Sequence, residues 1–383
     1  MLMMVSNFQL AVAQSDIDKN VAIVSYNDND KYLFSEGLCA LQRGERWGFI
    51  DTTGRIVIDF RFHNNGFEIP TFHEGKCCVC IQTEKEELKR FYIDKSGNAL
   101  FTDQEFSGIT AFSNGLAIVE KTTPSNSSSL VFIDGFGKPL TGAITPGYSP
   151  EMKIEFRGFY EGLAAMCDSR AKGWGYINTK GKWAIQPEMK YKVVGDFHDG
   201  LAFVQETSEG KWGAINTKGE LVIPFMYVNR PADFSEGLSA VRNPDDRVGY
   251  INKTGDLVIP FRYEPISDQN GLPFFEGNAI VCREGFFYSI SASGKENLRI
   301  GDASAEISML QNGLVVFKKW LNAGFWGIGL IRTNGELMQS PNILYQLSEF
   351  GNGLAHAKAK IDGVNYNGFV NLDTNFVILN ENR

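Results

Sequence analysis

The residues best equipped for chemistry in this chain are thiols, carboxylates and indoles. Cys77, Cys78 and Cys80 crowd one short segment, with His73 just upstream. Cys78 and Cys80, two apart on a strand, share a face. A zinc site needs three or four ligands within reach, and two thiols with one imidazole fall short. Glu36, Glu74, Glu161, Asp199, Glu236 and Glu276 each stand directly before a glycine. An acidic or short polar residue there satisfies turn donors, so their recurrence reads as structural. A glycosidase needs two carboxylates across a cleft, and nothing singles out such a pair. Gly135-Phe136-Gly137 lacks the third glycine and the following helix of a dinucleotide fingerprint. The four histidines, His63, His73, His198 and His356, fall in turns or strands and form no Ser-His-Asp pattern. No catalytic residue, cofactor-binding residue, metal ligand or cofactor is therefore assigned. The chain is expected not to be an enzyme.

The indoles divide into two groups. Trp47, Trp174, Trp212 and Trp326 each precede a glycine in a recurring slot. They read as core plugs, with the glycine allowing close backbone approach. Trp183 and Trp320 lie outside that slot and are the candidates for an exposed aromatic binding patch, because an indole face attracts sugars and cations.

The elements that carry these residues repeat. In Phe197–Tyr227, Leu201-Ala-Phe-Val204 reads as a strand after a glycine turn, and Trp212-Gly-Ala-Ile215 as a second. Asn216-Thr-Lys-Gly219 is a hairpin signal: Asn opens the turn and Gly supplies the positive φ. Leu221-Val-Ile223 reads as a third strand. Pro224 offers no N–H, so the ladder is expected to stop or turn to an edge there. Each unit is thus a three-stranded antiparallel meander. Nine units open at Phe34, Phe72, Phe112, Phe159, Phe197, Phe234, Phe274, Leu310 and Phe350, spaced 36 to 47 residues apart. A period in that range indicates a solenoid, a propeller or a related array. Residues 1–20 lack the pattern, and 21–383 form one repeat domain.

One slot in the first strand stays small: Cys39, Cys77, Ala117, Ala164, Ala202, Ser239, Ala279, Val315 and Ala355. Something bulky must pack over it, and the recurring Trp is the expected occupant. The pattern F-x-E-G-L-A, then W-G-Y-I-N-x-x-G, then V-I-P-x-x-Y resembles the bacterial WG-repeat family, also known as KWG repeats. The match runs over residues 21–383 and is most specific in Phe159–Tyr191, Phe197–Tyr227 and Phe234–Tyr263. The resemblance implies an all-β array and brings no catalytic residues.

Composition agrees with this architecture. Forty glycines and 29 phenylalanines in 383 residues suit a turn-rich β protein. The expected fold is an all-β tandem array of nine three-stranded repeats, curved or superhelical. The alternative is a closed, propeller-like ring, whose blades usually have four strands. A net charge of −8 argues against nucleic acid as partner, and no apolar run approaches the roughly 18 residues of a spanning helix. Six cysteines at low density read as reduced thiols, which favours the cytoplasm. Against this, Ala11-Val-Ala13 resembles a signal cleavage site, so a secreted or periplasmic location is the alternative. The function expected is a non-catalytic scaffold for a protein, a peptide or another macromolecule. The alternative is a glycan binder or an enzyme with a site on the degraded repeats.

Overall fold

The computed structural model describes residues 33–63, 69–83, 88–103, 106–108, 110–122, 128–140, 158–168, 173–188, 191–206, 210–266, 271–302, 306–309, 314–321, 325–347, 354–361, 364–371 and 376–381. They form strands and turns, with no helix among the described residues. Unit 5 shows the local logic. Its three strands are Leu201–Glu206, Trp212–Asn216 and Leu221–Tyr227, all antiparallel. The expected hairpin is present. The Gly219 N–H donates to the Asn216 carbonyl at 2.9 Å, and the Asn216 side-chain oxygen accepts the Lys218 and Glu220 amides at 3.0 Å. Gly219 has φ +82°.

Pro224 does not end the ladder; it lies on an edge strand, the other of the two expected outcomes. Ala214 faces Ile223, the register slips, and pairing resumes with Trp212 opposite Tyr227. Pro224 lies in the resulting bulge, where no ladder donor is required. The bulge also explains the glycine after Trp212: a Cβ on Gly213 would stand 2.7 Å from the Ile223 carbonyl oxygen. Gly48, Gly175 and Gly249 meet Ile58, Ile185 and Ile259 in the same way, at 2.8, 2.6 and 2.6 Å. The register corrects one assignment. Leu41, Met166, Val204 and Val241 face this glycine in units 1, 4, 5 and 6, and in unit 8 Phe317 faces Gly329. The slot in unit 8 is therefore Ile328–Gly329. Trp326 lies two residues earlier, opposite Trp320.

The first two strands are buried on both faces, which is why they read as unbroken apolar runs rather than alternating ones. One face of unit 5 (Ala202, Val204, Ile215) shares a core with Tyr176 and Tyr191 of unit 4. The other (Leu201, Phe203, Trp212, Ala214) shares a core with Phe234, Val241 and Ile251 of unit 6. Trp212 thus lies on the face opposite Ala202 and does not fill the small slot. That slot faces a tyrosine–phenylalanine pair bridging two units: Tyr176 against Phe197 at 4.7 Å, Tyr92 against Phe112 at 5.1 Å, Tyr250 against Phe274 at 5.1 Å. Each tyrosine hydroxyl donates to a carbonyl just before that phenylalanine: Gly195, Thr110 and Leu272. The buried hydroxyl is thereby satisfied.

Linking segments add a fourth strand to some units. Tyr191–Val194 pairs with the first strand of unit 5, giving a four-stranded sheet. Phe106–Gly108 pairs with the first strand of unit 3, where it completes a three-stranded sheet with that unit's own two strands, and Glu306–Met309 pairs with the first strand of unit 8. Among the described residues unit 2 has a two-stranded sheet, so the expected three-stranded meander is not formed in every unit. The long strand Leu337–Leu347 pairs in both units 8 and 9, so these two units form one seven-stranded sheet.

The acidic turns tie neighbouring units together. Ser35 and Leu38 exchange backbone hydrogen bonds around Glu36 (φ 53°) and Gly37 (φ 86°), a two-residue hairpin with both central φ angles positive. Glu74, Glu161, Asp199, Glu236 and Glu276 repeat this conformation at φ 50–53°. Their carboxylates do not serve their own turns, as the sequence pattern suggests. They accept the glycine N–H of the next unit's turn. Glu36 accepts from Gly75, Glu74 from Gly115, Glu161 from Gly200 and Glu236 from Gly277, each at 2.8 Å, and Asp199 accepts from Gly237 at 2.7 Å. Curvature carries unit 9 back to unit 1. Leu33 pairs with Ala355, the Phe34 and Phe369 rings stand 4.9 Å apart, and Leu354 and Phe369 join the core of unit 1. The expected curved array thus has touching ends, as the ring alternative requires.

Two predictions follow from this packing. Trp212→Ala should lower stability by about 3–5 kcal/mol, as other large-to-small core changes do. Gly219→Val should be worse than Gly219→Asn, since Asn tolerates positive φ, although any Cβ there meets Ile185 at 3.0 Å. Urea melts check both, and equal midpoints for the two Gly219 variants would contradict the second. The other prediction concerns acid. Partial burial pushes the Glu36 carboxyl up, but the Gly75 amide and the Lys95 ammonium outweigh it and hold the pKa below the usual value. A depressed carboxylate adds stability above its unfolded-state pKa and loses it as pH falls through the folded one. Glu36→Gln should therefore lower the melting temperature at neutral pH and flatten its decline below about pH 4. Identical pH profiles for the two proteins would show the contact to be thermodynamically silent.

Candidate functional site

The recurring turn carboxylates are engaged in the frame of the array. Burial pushes the Cys39, Cys77 and Cys80 thiols up. Cys282 is pushed up to about 12 by burial and by Glu264, to which its thiol donates at 3.4 Å. None of these four is a thiolate at neutral pH, so none is poised as a nucleophile. Among the described residues no three of His, Cys, Asp and Glu are placed to hold a metal ion.

The histidines serve separate places. His63 Nε2 lies 3.1 Å from Gln82 Oε1, and His73 pairs through its backbone with Lys76. His356 is buried against Phe369, and burial with Lys358 nearby lowers its pKa to about 4, so it is neutral. His198 belongs to a partly exposed group on the turns of units 4 to 6. Its ring stands 5.4 Å from Tyr160, and its Nε2 4.0 Å from Asp233, which pairs with Arg230 at 2.6 Å.

The two candidate indoles differ. Trp183 opens the third strand of unit 4, Trp183–Glu188, and is half-buried against the core shared by units 3 and 4. One side of its ring is therefore fixed by packing. Trp320 lies on the strand Leu314–Leu321 opposite Trp326, and its side chain falls outside the described residues. Trp183 thus belongs to unit 4 and Trp320 to unit 8.

The exposed apolar residues were missed by motif-based reasoning. The third strands of units 1, 4, 5, 6 and 7 are sheet edges. In units 5 and 6 they present Leu221, Met226, Leu257 and Val258, followed by Val228 at 71% exposure. Phe136, at a hairpin tip in unit 3, is 84% exposed. A sequence signal existed for it: the equivalent residues are Thr53, Ser96, Lys180, Lys218, Thr254, Ser293 and Asn334, all polar.

Comparison with known proteins bears on the family. No curated protein matches the chain in sequence. Among solved structures, the chain is similar to the computationally designed Ika8 protein at 12% identity and a TM-score of 0.41, over 73% of this chain and 87% of that one. It is similar to BamB from Moraxella catarrhalis at 11% identity and a TM-score of 0.38, over 76% and 93% of the two chains. Neither likeness carries an argument about function. The model of the WG containing repeat matches five segments, residues 47–82, 91–122, 174–209, 212–244 and 249–285. With the Gly-over-bulge geometry in four of its units, this chain belongs to the WG-repeat family.

Proposed function

We propose that the protein is a non-catalytic scaffold that holds a protein partner against its third strands. The observation that carries this reading is the exposed apolar set Leu221, Met226, Leu257 and Val258 on the edge strands of units 5 and 6, with Val228 just after the first of them. Exposed apolar residues gathered in this way mark interaction surfaces. The bulges and Pro224 and Pro260 interrupt the edge, which disfavours strand addition. Contact is therefore made by side chains rather than by extending a sheet. The net charge of −8 favours a protein partner over nucleic acid. Six cysteines, none of them in a disulfide, support a cytoplasmic setting.

The test is the double substitution Leu221→Asp with Leu257→Asp in the full chain. Both positions are solvent-facing, so melting should stay within about 0.5 kcal/mol of the parent. Proteins cross-linked to the parent chain from host extract should be lost from the variant. The same cross-linked set on both proteins would contradict the assignment of this surface.

A further inference from the structure

The hairpins of units 3 and 4 carry a feature that the repeat does not require. Asp134 Oδ1 accepts the Phe136 and Lys138 amides at 2.9 Å, and the Gly137 N–H closes the turn onto the Asp134 carbonyl. The tip is thus held as firmly as its polar counterparts, yet it presents an aromatic ring to water. Exposing a ring of this size forgoes the stabilisation of its burial.

The surroundings are basic. Lys138 is exposed beside Phe136, and Lys180 and Lys182 are exposed on the next hairpin. The two hairpins are neighbours, because Leu140 and Trp183 pack against the same core cluster, which includes Phe132, Phe159 and Met166. Among the described residues none of these lysines forms an ion pair. The only carboxylate within these two turns is Asp134, already engaged by backbone amides, because unit 4 has Asn178 in that place. In units 5 and 6 the lysine at the tip is accompanied by Glu220 or Asp256.

We propose that this surface binds an acidic peptide segment of a partner protein, with Phe136 as the apolar anchor. Lys138, Lys180 and Lys182 pair with the segment's carboxylates, and the half-buried Trp183 lies beside them. A fixed aromatic ringed by charge is the usual composition of a binding hot spot, and unpaired lysines steer an acidic partner to it. An anionic bilayer is the less suitable occupant: the positive patch is local, and a chain of net charge −8 is repelled over a broad surface. The inference rests on the scaffold reading and assigns it a second, separate surface.

The experiment uses the full chain and a fluorescein-labelled peptide of alternating Glu and Leu, with a Lys–Leu peptide as its counterpart. Fluorescence anisotropy should show binding of the acidic peptide only, weakened at roughly 0.5 M salt. Phe136→Ala alone, or Lys180→Glu with Lys182→Glu, should weaken it at least about tenfold. Leu221→Asp, on the other surface, should leave it unchanged. Equal binding by the Phe136→Ala chain, or no binding of the acidic peptide by the parent, would overturn the proposal. So would binding to phosphatidylserine vesicles with none to the peptide, which would assign the patch to a membrane. Retention of a cross-linked host protein by the Phe136→Ala and Lys180→Glu/Lys182→Glu chains would leave the scaffold reading standing while this site fell.

Discussion

The hydrogen bond from the glycine amide of one turn to the carboxylate of the preceding unit's turn is what the rest of the array depends on. A two-residue hairpin with both φ angles positive suits Asn, Asp or Gly, yet here a glutamate stands at φ 50–53° in most units. A non-glycine residue held there costs about 1–3 kcal/mol. A charge-assisted hydrogen bond of the kind made by Glu161 to Gly200 contributes roughly 1.5–3 kcal/mol. The strain of one unit is therefore offset only when its neighbour is in place. Unit 3 is informative: Asn114 occupies the position, a residue that tolerates this conformation, and there Ser113 accepts the Phe159 amide instead. Each unit is incomplete alone, which is the physical basis of a repeat protein.

The same dependence appears in the packing. The first two strands bury both faces, and the cores lie between units rather than within them. The tyrosine–phenylalanine pairs, the hairpin glycines seated on Ile185, Ile223 and Ile259, and the turn carboxylates all bind one unit to the next. Contact between units 1 and 9 extends this to the ends. What remains for recognition is the outer edge: third strands with apolar side chains, and hairpin tips.

Much of this was legible in the sequence. Glycine and asparagine at fixed offsets specify turns by local backbone chemistry, so unit boundaries and the Asn216–Gly219 hairpin were readable from one repeat. Partners across units were not. The recurrence of Glu36 and its equivalents suggested a turn role, but a period cannot say whether a carboxylate serves its own turn or the next. Pro224 pointed to a strand end or a sheet edge because its missing N–H is a local fact, whereas the bulge that absorbs it needs Gly213 on the facing strand. Trp326-Gly327 matched the motif in letters, yet register assigned the slot to Ile328–Gly329. The expectation that Trp fills the small slot failed for a related reason: strand alternation placed Trp212 on the opposite face. Phe136 was visible as an odd residue at a polar position, but only its exposure separates an anchor from a buried plug.

Amide hydrogen exchange in the Glu161→Ala chain tests the central claim most directly. The account predicts that Gly200 loses its protection, while Gly237, held by the untouched Asp199, keeps it. Unchanged protection at Gly200 would contradict the claim that the carboxylate of one turn holds the next.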